Sequence, residues 1–145
     1  MRRKADGTAF EGEFSNAVSD AYYVKRLRTA NTGYAGIREP ADYIVVGRQF
    51  NYVELKETAG DSFSITGMEQ YDKMLEFLDI SQALRTVVDV GLEYWLIVHF
   101  LKTREIKVVS GRQAEALSAS RKALRIDTDT LTFKSLEELK GAHLF

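Results

Sequence analysis

Residues 38 to 58 read REPADYIVVGRQFNYVELKET, and no other stretch of the chain limits its fold so tightly. Tyr43 to Val46 and Tyr52 to Leu55 are rich in β-branched and aromatic residues, and Gly47-Arg48-Gln49 between them supplies a turn, so the segment is expected to form a β-hairpin. Side chains alternate along a strand. Glu54 and Lys56 therefore share one face, while Leu55 points the other way into a core. If the hairpin pairs around Gly47 to Gln49, Asp42 arrives at the same end and side as Glu54. Two adjacent carboxylates repel each other unless a cation lies between them. Oxygen ligands of this kind suit Mg²⁺ or Mn²⁺, with water and a phosphate in the remaining positions. Lys56 beside such a centre would favour hydroxide over water and offset charge on a phosphoryl group.

The rest of the chain must supply a fold that carries this hairpin. At 145 residues, with 45% hydrophobic and 28% charged residues, it suits one domain with one core. Capping boxes place helix starts at Thr8 with Glu11, Thr66 with Glu69, Ser110 with Gln113, and Ser135 with Glu138. Phe10, Phe14, Ala17, Ala21, Val24 and Leu27 extend the first helix to about Arg28, where Asn31, Thr32 and Gly33 stop it. A second helix carries Met68, Tyr71, Met74 or Leu75, and Leu78 on one face, and Ser81 to Val90 continues it after a break. Tyr94 to Leu101 reads as a buried strand with Glu105 to Val109 as its hairpin partner. A short helix, a β-prone stretch from Leu124 to Phe133 and a last short helix follow. This order predicts an α/β fold, a mixed β-sheet flanked by helices.

Several classes of chemistry are excluded or disfavoured. With no cysteine there is no disulfide or cysteine-ligated zinc, which suits a reducing cytoplasm. Neither a Gly-x-Gly-x-x-Gly pattern nor a P-loop is present, so no nucleotide cofactor is expected. The longest apolar run, Tyr94 to Leu101, is too short to span a bilayer, and MRRKADG has no apolar stretch behind it, so no membrane partner or signal peptide is expected. His99 in an apolar strand reads as a hydrogen-bonded core residue and His143 as exposed, which makes a zinc site or a triad a poor fit. The net charge of −1 argues mildly against a nucleic-acid partner. Two basic clusters, Arg2-Arg3-Lys4 and Lys25, Arg26 and Arg28, are solvated surface when taken alone and DNA contacts if DNA is the substrate. Trp95 and the seven tyrosines fit core packing, with Tyr22, Tyr23 and Tyr34 the ones able to touch DNA.

With Asp42, Glu54-Leu55-Lys56 and a helix bearing Glu11 in this order, the chain resembles the PD-(D/E)xK nuclease superfamily. Within it, the pattern is similar to the RecU-type Holliday-junction resolvases and their phage relatives. The shared pattern appears here as Gly7-Thr8-Ala9-Phe10-Glu11, Asp42-Tyr43, Glu54-Leu55-Lys56-Glu57-Thr58, Ser62-Phe63 and Gln70 in the next helix. It covers roughly residues 7 to 110, the nuclease core, with 111 to 145 as additions within a single nuclease domain of residues 1 to 145. The resemblance implies a restriction-endonuclease-like fold and a Mg²⁺-dependent, structure-selective endonuclease that cuts branched or four-way DNA. It implies Asp42, Glu54 and the Leu55 carbonyl as metal ligands and Lys56 as the group that positions or activates water. Glu11 would support the metal site and Gln70 would hold the catalytic group or substrate. A homodimer of phage origin acting in the cytoplasm belongs to the same expectation. One departure is plain. RecU proteins insert a stalk before the catalytic Asp, and Gly33 to Ala41 leaves nine residues for that connection.

Some residues have plainer explanations. A lone Glu-x-Lys is an ordinary way to alternate charge on an exposed strand. Glu11 sits where a capping glutamate would need no metal, and Glu13 is the other candidate on that helix. Gln70 on an amphipathic helix is usually a surface residue. Thr58 shares the face of Glu54 and Lys56, and Glu57 faces away as a structural residue. Beside the resolvase stand two alternatives: a nuclease of this fold with a restriction-like or repair substrate, and a non-catalytic DNA-binding module.

Overall fold

The protein was analysed as a computed structural model, which describes residues 2–27, 39–87 and 91–145, with side chains from residue 9 onward. Six strands form one sheet, in the order β1 (Tyr23–Arg26), β2 (Tyr43–Val46), β3 (Phe50–Thr58), β5 (Leu92–Phe100), β6 (Glu105–Ser110) and β8 (Leu131–Phe133). A second, two-stranded sheet pairs β4 (Ser62–Phe63) with β7 (Leu124–Arg125). The helices are α1 (Arg2–Val18), α2 (Tyr71–Leu84), α3 (Gly111–Ala119) and α4 (Leu136–Gly141). The expected mixed sheet flanked by helices is thus the observed architecture. Among the described residues, no helix is long and apolar enough to cross a membrane.

The sheet is mixed because β3 and β5 run parallel, Phe50 opposite Leu92 through to Thr58 opposite Phe100, while the other pairs are antiparallel. Parallel neighbours need a crossover, and β4 and α2 provide it. Each face then packs its own core. On one face Phe10, Phe14 and Val18 of α1 and Leu139 of α4 cover Val45, Val53, Leu55, Ile97, Ile106 and Val108. On the other, Met74 and Leu78 of α2, Ala114 of α3 and Leu124 of β7 cover Tyr94, Leu96, Val98 and Val109. Each such fully buried side chain contributes roughly 1.5–3 kcal/mol. β8 extends the sheet at β6 and α4 packs on α1, so residues 111–145 are built into the layers that carry the hairpin.

Several expectations about helices need correction. The first helix starts at Arg2, not Thr8, and ends at Val18, not Arg28. Its apolar steps at Phe10, Phe14 and Val18 are genuine, but Ala21, Val24 and Leu27 continue that spacing only by coincidence. Val24 belongs instead to β1, where it pairs with Val45. The Thr66–Glu69 box caps nothing, because α2 begins at Tyr71 with Gln70 at its N-cap and no side-chain cap bond. By contrast Ser110 and Gln113 form the full reciprocal box, and Ser135 accepts from the Glu138 N–H. Glu138 does not return the bond to Ser135. It accepts from the Lys134 N–H at 3.0 Å. The break expected before Ser81 is absent, since α2 runs unbroken to Leu84, while the proposed stop at Asn31, Thr32 and Gly33 and the last residues of the Ser81 to Val90 continuation lie outside the described residues.

Candidate active site

The hairpin register decides whether the two carboxylates meet. Tyr43 pairs with Val53, Ile44 with Tyr52, Val45 with Asn51 and Val46 with Phe50. Extending that register by one residue sets Asp42 opposite Glu54. The ladder is irregular there, since the Asp42 N–H donates at 3.1 Å to the carbonyl of Val53, the residue already opposite Tyr43, but the two carboxyls do come together and the charge of Asp42 acts on Glu54. The Leu55 N–H then donates to Asp42 Oδ2 at 2.9 Å, which ties the aspartate to the neighbouring strand. In an antiparallel ladder a residue's N–H and C=O leave the strand on one side. The Leu55 carbonyl therefore faces the edge occupied by Asp42, while its side chain lies in the core under α1.

Glu54 is fully buried and Asp42 nearly so. The Lys56 ammonium stands 3.0 Å from Glu54 Oε2. It forms an ion pair with that oxygen, while Glu54 Oε1 has no hydrogen-bond partner among the described residues. Burial, and then the charge of Asp42, push the Glu54 carboxyl well above the usual carboxylate range, against the pull of Lys56. Lys56 is less buried. Desolvation drags its ammonium down, but Glu54, Asp42 and Glu69 together outweigh this and hold it above its ordinary value, so it keeps its proton.

Glu11 reaches the same neighbourhood from α1. Its carboxyl is raised by burial and by Asp42, and lowered by Arg26 and Lys56. The capping explanation for Glu11 fails, because the helix begins nine residues earlier, at Arg2. Its carboxylate is instead paired with the Arg26 guanidinium at 3.1 Å. Tyr43 OH donates to the Glu11 carbonyl at 3.3 Å and fixes α1 against β2. Glu13 lines a separate cavity on the α1 face of the sheet.

Other expected site residues fall into place less directly. Gln70 precedes α2 rather than lying inside it, and its Oε1 is buried without a hydrogen-bond partner among the described residues. Thr58 spends its hydroxyl on the Gly60 turn, accepting from the Gly60 N–H at 3.2 Å, which leaves no evident cleft role. Glu57 does face away, holding His99 Nδ1 at 3.0 Å. Lys25 and Arg26 are exposed on β1 at the sheet's edge. The side chains of Arg2, Arg3 and Lys4, and all of Arg28 and Tyr34, lie outside the described residues, as does most of the Gly33 to Ala41 connection. Sequence reasoning missed Glu69, whose charge acts on Lys56, and Tyr94. The Tyr94 hydroxyl donates to the Pro40 carbonyl at 2.6 Å and so steadies the approach to Asp42. Nothing local in the sequence marks either, since both come to the site from distant elements.

Among the described residues no three acidic or histidine side chains form a ready-made metal cage. Mg²⁺ is usually held by one or two carboxylates together with water or phosphate oxygens. The acceptor set fits such a demand: two neighbouring carboxyls, Glu54 Oε1 without a hydrogen-bond partner among the described residues, and a carbonyl aimed at the same edge.

No protein-family model and no curated protein matches this sequence. Among solved structures it is similar to Hjc of Archaeoglobus fulgidus, a Holliday junction resolvase from an archaeal hyperthermophile. The two share 15% identity and a TM-score of 0.54, over 92% of this chain and 98% of that one. The chain therefore has the fold of that resolvase.

Proposed function

We propose that this chain is a divalent-metal-dependent endonuclease that cuts branched DNA, with Asp42, Glu54 and Lys56 at its centre. The observation that carries the reading is the fully buried Glu54 carboxyl set beside Asp42, ion-paired with Lys56 but with its Oε1 lacking a hydrogen-bond partner among the described residues. Two adjacent acids against one ammonium leave a buried negative charge that a divalent cation would balance. Asp42, Glu54 and the Leu55 carbonyl would hold Mg²⁺ or Mn²⁺. A bound metal there would lower the pKa of a water and offset the charge of the phosphate. Lys56, protonated and turned to the same face, orients that water or stabilises charge building on the phosphoryl oxygens. Glu11 adds negative charge from α1, and Gln70 offers an unengaged carbonyl oxygen near the start of α2. Lys25 and Arg26 on the sheet edge, with Arg2, Arg3, Lys4 and Arg28, would meet the DNA backbone.

The choice of branched DNA draws on the likeness to Hjc and on the residue pattern shared with RecU-type and phage resolvases. Two cuts in strands of like polarity need two sites related by a two-fold axis, so a homodimer acting in the cytoplasm is part of the proposal. The test is cleavage of synthetic four-way junctions and of linear duplex in Mg²⁺ and in chelator. Mg²⁺-dependent cutting of junctions at least tenfold faster than of duplex is expected. Equal cutting of both would remove the resolvase reading and leave a nuclease of another specificity. Asp42→Asn should lose cleavage by at least 100-fold while still binding junctions; retained cleavage would sink the site assignment.

A further inference from the structure

Behind the carboxylate pair, on the α1 face of the sheet, a cavity of about 450 Å³ opens between α1, the β5–β6 turn and α4. That volume lies within the ordinary range for small-ligand sites. Its walls include the apolar side chains of Leu101 and Leu136, and Leu101 is 45% exposed at the rim. His99 is held rigidly at the cavity. Its ring stacks on Phe10 with centroids 5.0 Å apart, and Glu57 takes Nδ1, so Nε2 carries no hydrogen bond among the described residues. Three charged groups complete the lining without ion-pair partners among the described residues: Glu13, Arg104 and Lys134. Glu137, the other carboxylate there, is paired with Lys140 at 3.0 Å.

We propose that this cavity is a nucleobase subsite, receiving an unstacked base of the DNA substrate. The inference rests on the nuclease reading for its ligand. A nucleobase has apolar faces and an edge that both donates and accepts. Leu101 and Leu136 suit the faces. Glu13 as an acceptor, with Arg104 and His99, suits the edge. A phosphate alone would call for donors only, and Glu13 would repel it. The placement also fits. Phe10 and Glu13 of α1 line the cavity, and Glu11 of the same helix feels the charges of Asp42 and Lys56, so α1 borders both the cavity and the carboxylate site. Bases at a branch point are already partly unstacked, which lowers the cost of turning one out.

The test does not need cleavage. Deoxynucleoside monophosphates are titrated into metal-free protein and followed by amide and side-chain NMR, with inorganic phosphate as a parallel arm. Saturable shifts at His99, Leu101 and Arg104 with at least one nucleotide, in the millimolar range and absent with phosphate, are expected. Equal responses to phosphate would replace the base site by an anion site, and no response at these residues would overturn it. Arg104→Gln leaves the left-handed backbone at φ 58° no more strained than before. It should weaken nucleotide binding at least fivefold and raise KM for junctions about fivefold, with kcat within twofold. Unchanged nucleotide binding in Arg104→Gln would count against the subsite even if the protein proves to be a nuclease, whereas nucleotide binding without any cleavage would leave the subsite standing and remove the enzyme.

Discussion

Two buried polar side chains on β3, Asn51 and Glu54, are treated in opposite ways by their surroundings. Asn51 donates to the Val45 and Gln49 carbonyls and accepts from Trp95 Nε1 at 2.8 Å and Gln49 Nε2 at 2.9 Å, so its burial costs little. Glu54 has only the ion pair with Lys56. Its raised carboxyl has a thermodynamic consequence. Folding makes Glu54 hold its proton more tightly, so the metal-free fold loses stability as pH rises from the unfolded value near 4.5 through the higher folded value. Glu54→Gln removes that loss. In chelator at pH 8 the variant should melt higher than the parent. The difference should shrink toward pH 5. A variant that melts at or below the parent at pH 8 would show that Glu54 is not strained by its surroundings. These residues were legible to different depths. Alternation alone placed Glu54 and Lys56 on one face. Asp42 depended on a hairpin register that the Gly47 to Gln49 turn set and on the irregular step where the Asp42 N–H bonds the Val53 carbonyl. Glu69 and Tyr94 were invisible, because only the tertiary path of α2 and β5 brings them near.

Among the elements, the β2–β3 turn is held from outside. The Phe145 carbonyl accepts from the Arg48 N–H at 2.9 Å, and Gln49 Nε2 donates to the Leu144 carbonyl at 3.2 Å. A Cβ on Gly47 would stand 2.7 Å from both the Phe145 oxygen and Tyr22 Cδ1. Gly47→Ala should therefore cost about 1–3 kcal/mol by overpacking, read as a lower urea midpoint at unchanged slope. Because this turn sets the register of Asp42 against Glu54, activity should fall along with stability. At α3, Ser110→Ala removes one side of a complete capping box and should cost about 1 kcal/mol without affecting the site. The boxes show where local signals suffice. Ser110 and Ser135 mark true starts because each follows a strand that must turn. Thr8 lies inside a helix that began earlier, and Thr66 precedes a turn that delays α2 to Tyr71. The overrun of the first helix has a similar cause, since steps of three and four beyond Val18 could not reveal that Val24 is claimed by Val45 on β2.

For the molecule entire, the strand pattern announced a mixed sheet but not its order. Nothing in the sequence says that β5 lies parallel beside β3, which buries the strand of Glu54 and Lys56 in the middle of the sheet and makes the carboxylate so costly. Nor does local pattern foretell that β8 and α4 close the layers around the α1 core. A two-fold pair of such molecules is expected to sediment at twice the 16.4 kDa chain mass and to nick opposite strands of a junction; a monomer that makes both cuts would contradict the symmetric arrangement. All of this turns on whether the buried carboxylate pair holds a divalent cation. Calorimetric titration of Mn²⁺ into the parent and Glu54→Gln proteins decides it. Saturable binding by the parent, weakened at least tenfold in Glu54→Gln, is predicted. Binding of equal strength in both, or none in the parent, would contradict it.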